Sequence, residues 1–491
     1  MPEPTAALPS LGEQLRRTLV HAPTQGQEKA IHALERLLST DRERATLVLK
    51  GYAGTGKTTL VGALVKVLAR ERRPVVLLAP TGRAAKVLSA YAKAPASTIH
   101  RRIYRVSGEE DGGYGGMSLA HNRDAGALFV VDEASMIGSH SVSGSEGGFG
   151  DRDLLQDLFE HVFAAPGARL LLIGDPAQLP PVGSDHSPAL DVKDLRDLGL
   201  LPGRIELTDV VRQAEESGIL HNATELRSLL QIMPEKEEGA AKGEGPIPRF
   251  TLGFPDVERV DGMDLQDALE QAYSRHGDDE VCLICRSNKR AYQYSQQVRA
   301  RIRGFEDELV ANDRLMVVKN NYFWAGRNGK AELIANGEQI TVQRVHGIEE
   351  RFGLRFADIT AGWWNGQEDR ELEVKVMLDT LAIESPALPG ARMRQLSNEI
   401  MATYTARTRG ALYRKLKEDP YAQALQVKYA YAVTCHKAQG GQWKSVFVDQ
   451  GYVTEEMIDR EYVRWLYTAI TRASEKLYLL NFHPRFYGDE E

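Results

Sequence analysis

The chain has 491 residues, more than one ordinary core would bury, so two or more packed domains are expected. Hydrophobic residues make up 42% and charged residues 26%, the balance of a globular protein. The formal net charge of −7 excludes a chain that is basic throughout, so any grip on a polyanion needs a local basic groove. Three cysteines (Cys282, Cys285, Cys435) cannot build a disulfide framework and fit a reducing cytosol. The first twenty residues lack the apolar core of a signal peptide. No apolar run approaches the roughly 20 residues that span a bilayer. A cytoplasmic protein with no membrane partner is the expectation.

The first half alternates short apolar runs with helix-length stretches. Strands are predicted at 46–50, 75–79, 128–131 and 170–173, each ending at once in Gly, Pro or Asp or running into them. Continuous Val/Leu/Ile runs of this length fit strands buried on both faces of a parallel sheet, and the alternation predicts an α/β fold. Two stretches interrupt the pattern, 107–126, rich in Gly and acids, and 138–150, rich in Gly and Ser; both read as surface excursions. Residues 234–248 are polar and Gly/Pro-rich, and read as part of an inter-domain connection. A second α/β pattern starts at 281–284 and resumes at 429–434, 445–448 and 477–480. The intervening 346–424 reads as an insertion. Domains are thus expected at 1–278 and 279–491.

Gly51-Tyr52-Ala53-Gly54-Thr55-Gly56-Lys57-Thr58 fits G-x-x-x-x-G-K-[ST] at every position, between a predicted strand and a helix opening at Thr59. Gly54, Thr55 and Gly56 let backbone N–H groups close around phosphates, and the helix start adds its positive end. Lys57 supplies charge to the β- and γ-oxygens, and the Thr58 hydroxyl suits magnesium. An ordinary Gly-rich turn would not carry all three parts of this context. Phe129-Val130-Val131-Asp132-Glu133 supplies the acids such a loop needs. Asp132 would hold magnesium through water, and Glu133 would polarise an attacking water as general base. The strand ending Gly174-Asp175-Pro176-Ala177-Gln178 puts Gln178 at the sheet edge where ligands bind. It reads either as a γ-phosphate contact or as a solvated residue in a Pro-rich turn.

Taken together and in this order, these segments resemble superfamily 1 helicases, in particular the B group that includes RecD and Dda. Thr24-Gln25-Gly26-Gln27 matches the upstream motif whose Gln reads adenine, which is Gln27 here. Pro80-Thr81-Gly82-Arg83 and Ser97-Thr98-Ile99-His100 resemble strand-contacting motifs. Val210-Val211-Arg212-Gln213 resembles motif IV and would put Arg212 near the γ-phosphate. Thr434-Cys435-His436-Lys437-Ala438-Gln439-Gly440-Gly441-Gln442 resembles motif V, and Tyr467-Thr468-Ala469-Ile470-Thr471-Arg472 resembles motif VI, whose Arg is the arginine finger.

The resemblance implies two RecA-like parallel-sheet domains with ATP between them, a pin-like insertion near 101–126 and an SH3-like or helical insertion in the second domain. It implies Lys57, Glu133, Gln178, Arg212 and Arg472 as catalytic residues. Gln27, the 54–59 loop and Gln442 would hold nucleotide, and Thr58 and Asp132 Mg2+. Pro80, Thr81, Thr98, His100, Asn288, Thr434, His436 and Lys437 would meet the strand. The implied activity is that of a monomeric, 5′-to-3′ DNA helicase acting on single strands and duplex junctions. Two rival readings fit the same motifs: a translocase that remodels proteins without unwinding, and an RNA helicase. The basic stretch 286–303 reads equally as a solvated face or a strand-facing one.

Overall fold

The computed structural model describes residues 9–106, 117–138, 153–211, 216–233, 246–325, 333–365, 368–406 and 408–488. Arg212, much of the excursion at 107–126 and nearly all of the Gly/Ser excursion at 138–150 lie outside the described residues.

The first sheet takes β1 (Thr46–Gly51), β2 (Val75–Ala79), β3 (Ala96–Thr98), β6 (Leu128–Val131), β7 (Arg169–Gly174) and β8 (Gly203–Leu207), while β4 (Tyr104–Val106) and β5 (Met117–Leu119) form a separate antiparallel hairpin. The six strands lie in the order β3-β2-β6-β7-β1-β8, all parallel. Alternate residues of β1 serve opposite faces: Leu47 and Leu49 join one core cluster, Val48 the other. That two-sided burial is why these strands read as unbroken apolar runs. Each Val or Leu so buried contributes about 1.5–3 kcal/mol.

The second sheet contains β9 (Val257–Val260) and β10 (Val281–Cys285). Next comes a closed barrel of β11 (Arg314–Val317), β12 (Gln339–Arg351), β13 (Leu354–Trp364), β14 (Asp369–Met377) and β15 (Leu425–Tyr429). The chain then returns to the second sheet with β16 (Ala432–Thr434), β17 (Trp443–Asp449) and β18 (Ala473–Leu480), in the parallel order β16-β10-β17-β18-β9.

Both expected boundaries move. Strand β9 pairs with β18, and helix Gly218–Ile232 packs its Ile219, Ala223 and Leu226 in the second domain's core, so the crossover precedes residue 279. The insertion runs from β11 to β15 and not from 346 to 424. The predicted strand 429–434 is two strands: Tyr429 closes the barrel and Ala432 opens β16. No Gly or Pro marks that hand-over, because Ala430 and Tyr431 are as buried as the strands they join.

Candidate active site at the domain cleft

Strand β1 delivers Gly51 to the C-terminal edge of the first sheet, and helix Lys57–Arg70 starts six residues later. Gly54 and Gly56 take φ of +74° and +80°, a backbone conformation that side chains disfavour. A Cβ on Gly56 would also lie 2.4 Å from Gln27 Nε2. Lys57 Nζ donates to the Gly51 and Tyr52 carbonyls at 2.6 and 2.8 Å and stands 3.9 Å from Asp175. Thr58 and Thr59 are exposed in the first turn.

Gln27 stands against the phosphate loop. Its Oε1 accepts from Thr24 N at 3.1 Å, its Nε2 donates to Thr55 O at 3.1 Å, and it is buried. Thr24 in turn accepts from Gln27 N, which completes a capping box at the start of helix Gln25–Ser39. The T-x-x-Q spacing that suggested an adenine reader is thus also a helix-start signal. Here the amide props the phosphate loop, and it keeps a second N–H donor and a second lone pair.

Strand β6 leads directly into Asp132, whose Oδ1 accepts from Glu133 N at 2.9 Å and whose Oδ2 accepts from Tyr91 OH at 2.5 Å. Burial, and then the neighbouring Glu133, pushes the Asp132 carboxyl up to about 6. Glu133 sits in the left-handed region at φ 52°, strain that a non-glycine residue tolerates only where its surroundings over-determine it. Arg472 Nη1, from the far end of the chain, stands 3.6 Å from Glu133 Oε1. Its Nε donates to Thr468 O at 3.0 Å and its Nη1 to Gly441 O at 3.3 Å, which fixes the guanidinium from behind.

Strand β7 ends in buried Asp175. Tyr467 OH donates to Asp175 Oδ2 at 2.7 Å and accepts from Ala53 N of the phosphate loop at 2.8 Å. Leu179 is held at both backbone atoms by the second domain: its N donates to Thr468 Oγ1 at 2.8 Å, and its O accepts from Gln439 Nε2 at 2.7 Å. Gln178, between Asp175 and Leu179, is buried with no protein partner for its Oε1. Leaving such an atom unpaired costs about 1–3 kcal/mol, so the site favours a donor arriving from outside the chain. Sequence reasoning missed Tyr91, Asp175 and Tyr467. The strand-terminal acid was a signal for Asp175; nothing local marks either tyrosine.

Two families match this chain: residues 23–230 match the AAA domain and residues 429–480 the UvrD-like helicase C-terminal domain. The ATP-dependent RecD2 DNA helicase of Deinococcus radiodurans is 35% identical over 180 residues, 36% of this chain and 21% of that protein. The ATP-dependent DNA helicase Dda of enterobacteria phage T4 is 23% identical over 378 residues, covering 72% of this chain and 77% of its own. In these matched segments the chain is similar to the RecD/Dda-like group of superfamily 1 helicases. It spans about a fifth of the length of the Deinococcus relative. A solved structure of Pif1 helicases at forked duplex DNA superposes with a TM-score of 0.46 at 15% identity, over 96% of this chain and 95% of that one.

The expected strand contacts divide. Thr81 accepts from Ala84 N and Thr98 from Arg101 N, so both hydroxyls cap helices, and Thr98 is buried. Thr98 is therefore not open to a strand as expected. Burial pushes the His100 imidazole down to about 4, which keeps it neutral. In the second domain Asn288, Thr434 and Lys437 line one small cavity, and Lys437 Nζ donates to Asn336 Oδ1. Gly440, three residues past Lys437, packs beside Thr81: a Cβ on it would lie 2.7 Å from the Ala84 Cβ and 3.4 Å from Thr81 Oγ1. Pro80 precedes that cap and is half-buried, as is His436, whose imidazole burial pushes below its usual range. Gln442, expected at the nucleotide, is instead exposed beside a cavity of about 590 Å³ with Arg83, Lys86 and Trp364. Its carbonyl accepts from Arg83.

The basic stretch 286–303 divides: Arg286, Lys289 and Arg301 are exposed, as a solvated face would be, while other members pair within the domain. Arg290 pairs with Asp449 at 2.5 Å, Arg299 with Asp313 at 2.7 Å and Lys289 with Glu384 at 3.0 Å, while Arg303 pairs with Asp278. Of these, the Arg290 and Arg299 pairs reach buried carboxylates of the second domain, and the exposed Lys289 pair contributes little. Among the described residues no helix is long and apolar enough to cross a membrane.

Proposed function

We propose that this protein is an ATP-driven motor that tracks along single-stranded DNA in the 5′-to-3′ direction and unwinds duplex DNA at junctions. One observation carries the reading: Arg472 of the second domain stands 3.6 Å from Glu133 of the first. A phosphate loop alone implies only triphosphate binding. An arginine delivered across the cleft makes turnover depend on how the two domains stand to one another.

Phosphoryl transfer to water needs positioning and charge stabilisation more than covalent help. In this reading Lys57 leaves its carbonyl contacts for the β- and γ-oxygens, and Glu133 orients and deprotonates the attacking water. Arg472 neutralises charge that develops on the transferred group, and Gln178 finds its missing partner at the γ-phosphate or its water. Magnesium favours one or two protein oxygens together with substrate phosphates, and the Thr58 hydroxyl and Asp132 carboxylate are oxygens of that kind. When bound, the ion would offset phosphate charge.

Unwinding is supported by the β4–β5 hairpin, which occupies the slot expected for a pin and is anchored by Tyr104 OH donating to Asp157 Oδ2 at 2.7 Å. Three buried thiols suit the reducing cytoplasm. The deciding experiment measures product from forked duplexes carrying a 5′ or a 3′ tail, alongside ATPase stimulated by matched DNA and RNA oligomers. Separation of 5′-tailed forks with stimulation by DNA is expected, and lost in Lys57→Ala. Strand-stimulated ATPase without any separated product would replace the helicase by a remodelling translocase. Stronger stimulation by RNA would replace the substrate.

A further inference from the structure

Helix Gly82–Ala92 has a different neighbour at each end. At its start, Arg83 Nη2 donates to Gln442 O at 3.0 Å and Asp279 O at 3.2 Å, with its guanidinium 3.9 Å over the Trp443 ring. Those three partners all belong to the second domain. At its end, Tyr91 OH donates to Asp132 Oδ2 at 2.5 Å. The helix has 11 residues, about 16 Å of rigid rod.

We propose that Tyr91 is a positioning residue for the magnesium-binding carboxylate, and that this helix couples the inter-domain contact at Arg83 to it. The inference rests on reading Asp132 as a magnesium ligand. Two bonds orient that carboxylate, and they differ in kind. The one from Glu133 N is local and moves with β6 itself. The one from Tyr91 comes from another element, whose opposite end bears on the second domain beside Gly440 and Thr81. A shift of the second domain against Arg83 is therefore transmitted to Asp132 Oδ2 without passing through the phosphate loop. A tyrosine that only filled space would present its ring here, and its hydroxyl would not matter.

Tyr91→Phe keeps the ring and removes the donor. Partners that orient metal-binding side chains are worth about 10–100-fold in metal affinity. The full chain is titrated with Mg2+ at fixed fluorescent ATP analogue, without DNA, and the half-saturating Mg2+ concentration is read. In Tyr91→Phe it rises about 10-fold or more, while analogue binding in EDTA stays at the wild-type level. Arg83→Ala cuts the other end: its ATPase stimulation by single-stranded DNA falls, and adding Tyr91→Phe to it lowers that stimulation no further. An unchanged midpoint in a folded Tyr91→Phe overturns the role of the hydroxyl. Undiminished stimulation in Arg83→Ala overturns the coupling. A wild type whose analogue binding ignores Mg2+ overturns the reading of Asp132 itself, and this role with it.

Discussion

Arg472 and Glu133 are held at 3.6 Å by a guanidinium already bonded to Thr468, Gly441 and Thr471. An arginine so fixed spends little ordering itself when charge develops opposite it. Arg472→Ala should therefore retain nucleotide affinity and lose turnover by about 10³-fold or more. Parallel nucleotide titration and steady-state ATPase measurements check this, and lost binding would contradict the assignment. Lys437 carries a second residue-level expectation. Burial pushes its ammonium down to about 8, so its charge is lost as pH rises through that value. Single-strand affinity should fall between pH 7 and pH 9, and Lys437→Arg, which stays charged, should flatten the profile in an anisotropy titration. The linked stability runs the other way. A lysine whose folded pKa lies below its unfolded value is destabilising while charged. That cost is full below about pH 8 and gone once the unfolded pKa near 10.4 is passed.

Strands and hairpins carry a different set of consequences. The β4–β5 hairpin is tied to the first domain by Tyr104 to Asp157 and by Ala120 N donating to Ile103 O at 2.7 Å. Among the described residues it joins no other sheet, so removing its outer part leaves the six parallel strands intact. Replacing 105–118 by a short Gly-containing turn should abolish product from forked duplexes and preserve strand-stimulated ATPase. Loss of both activities would place the hairpin in the motor and not in strand separation. The split of 429–434 into β15 and β16 belongs here too. The run is apolar throughout because both the barrel and the second sheet bury it. Hydrophobicity reports burial without saying in which sheet. Thr24 and Gln27 pose the same kind of problem, since one spacing serves a helix cap and a base-reading motif.

Across the whole molecule, the cleft depends on a second domain rigid enough to present Arg472. Buried Asp313 accepts from Arg299 Nη2 at 2.7 Å, from Val310 N at 3.0 Å and from Tyr431 OH at 3.1 Å. These bonds link the segment before the barrel to the strand hand-over after it. Arg299→Met should destabilise the second domain by about 3–5 kcal/mol, because it leaves a buried carboxylate without its cation. Urea unfolding followed by tryptophan fluorescence measures it, and a loss under 1 kcal/mol, the scale of an exposed pair, would mean the pair is solvated.

By itself, the sequence determined the phosphate loop, the Asp132–Glu133 pair, the strands that carry them and the two-sheet α/β class. Each of these is written within a few residues, because phosphate binding and strand burial impose fixed local spacings. Tertiary structure alone decided that Tyr467 reaches Ala53 and Asp175, that Tyr91 reaches Asp132, and that Val257–Val260 joins the second sheet. Ala53 and Tyr467 lie 414 residues apart, and a hydrogen bond over that separation leaves no pattern in the chain between them. Parallel pairing and domain docking bring such residues together only once both sheets are formed.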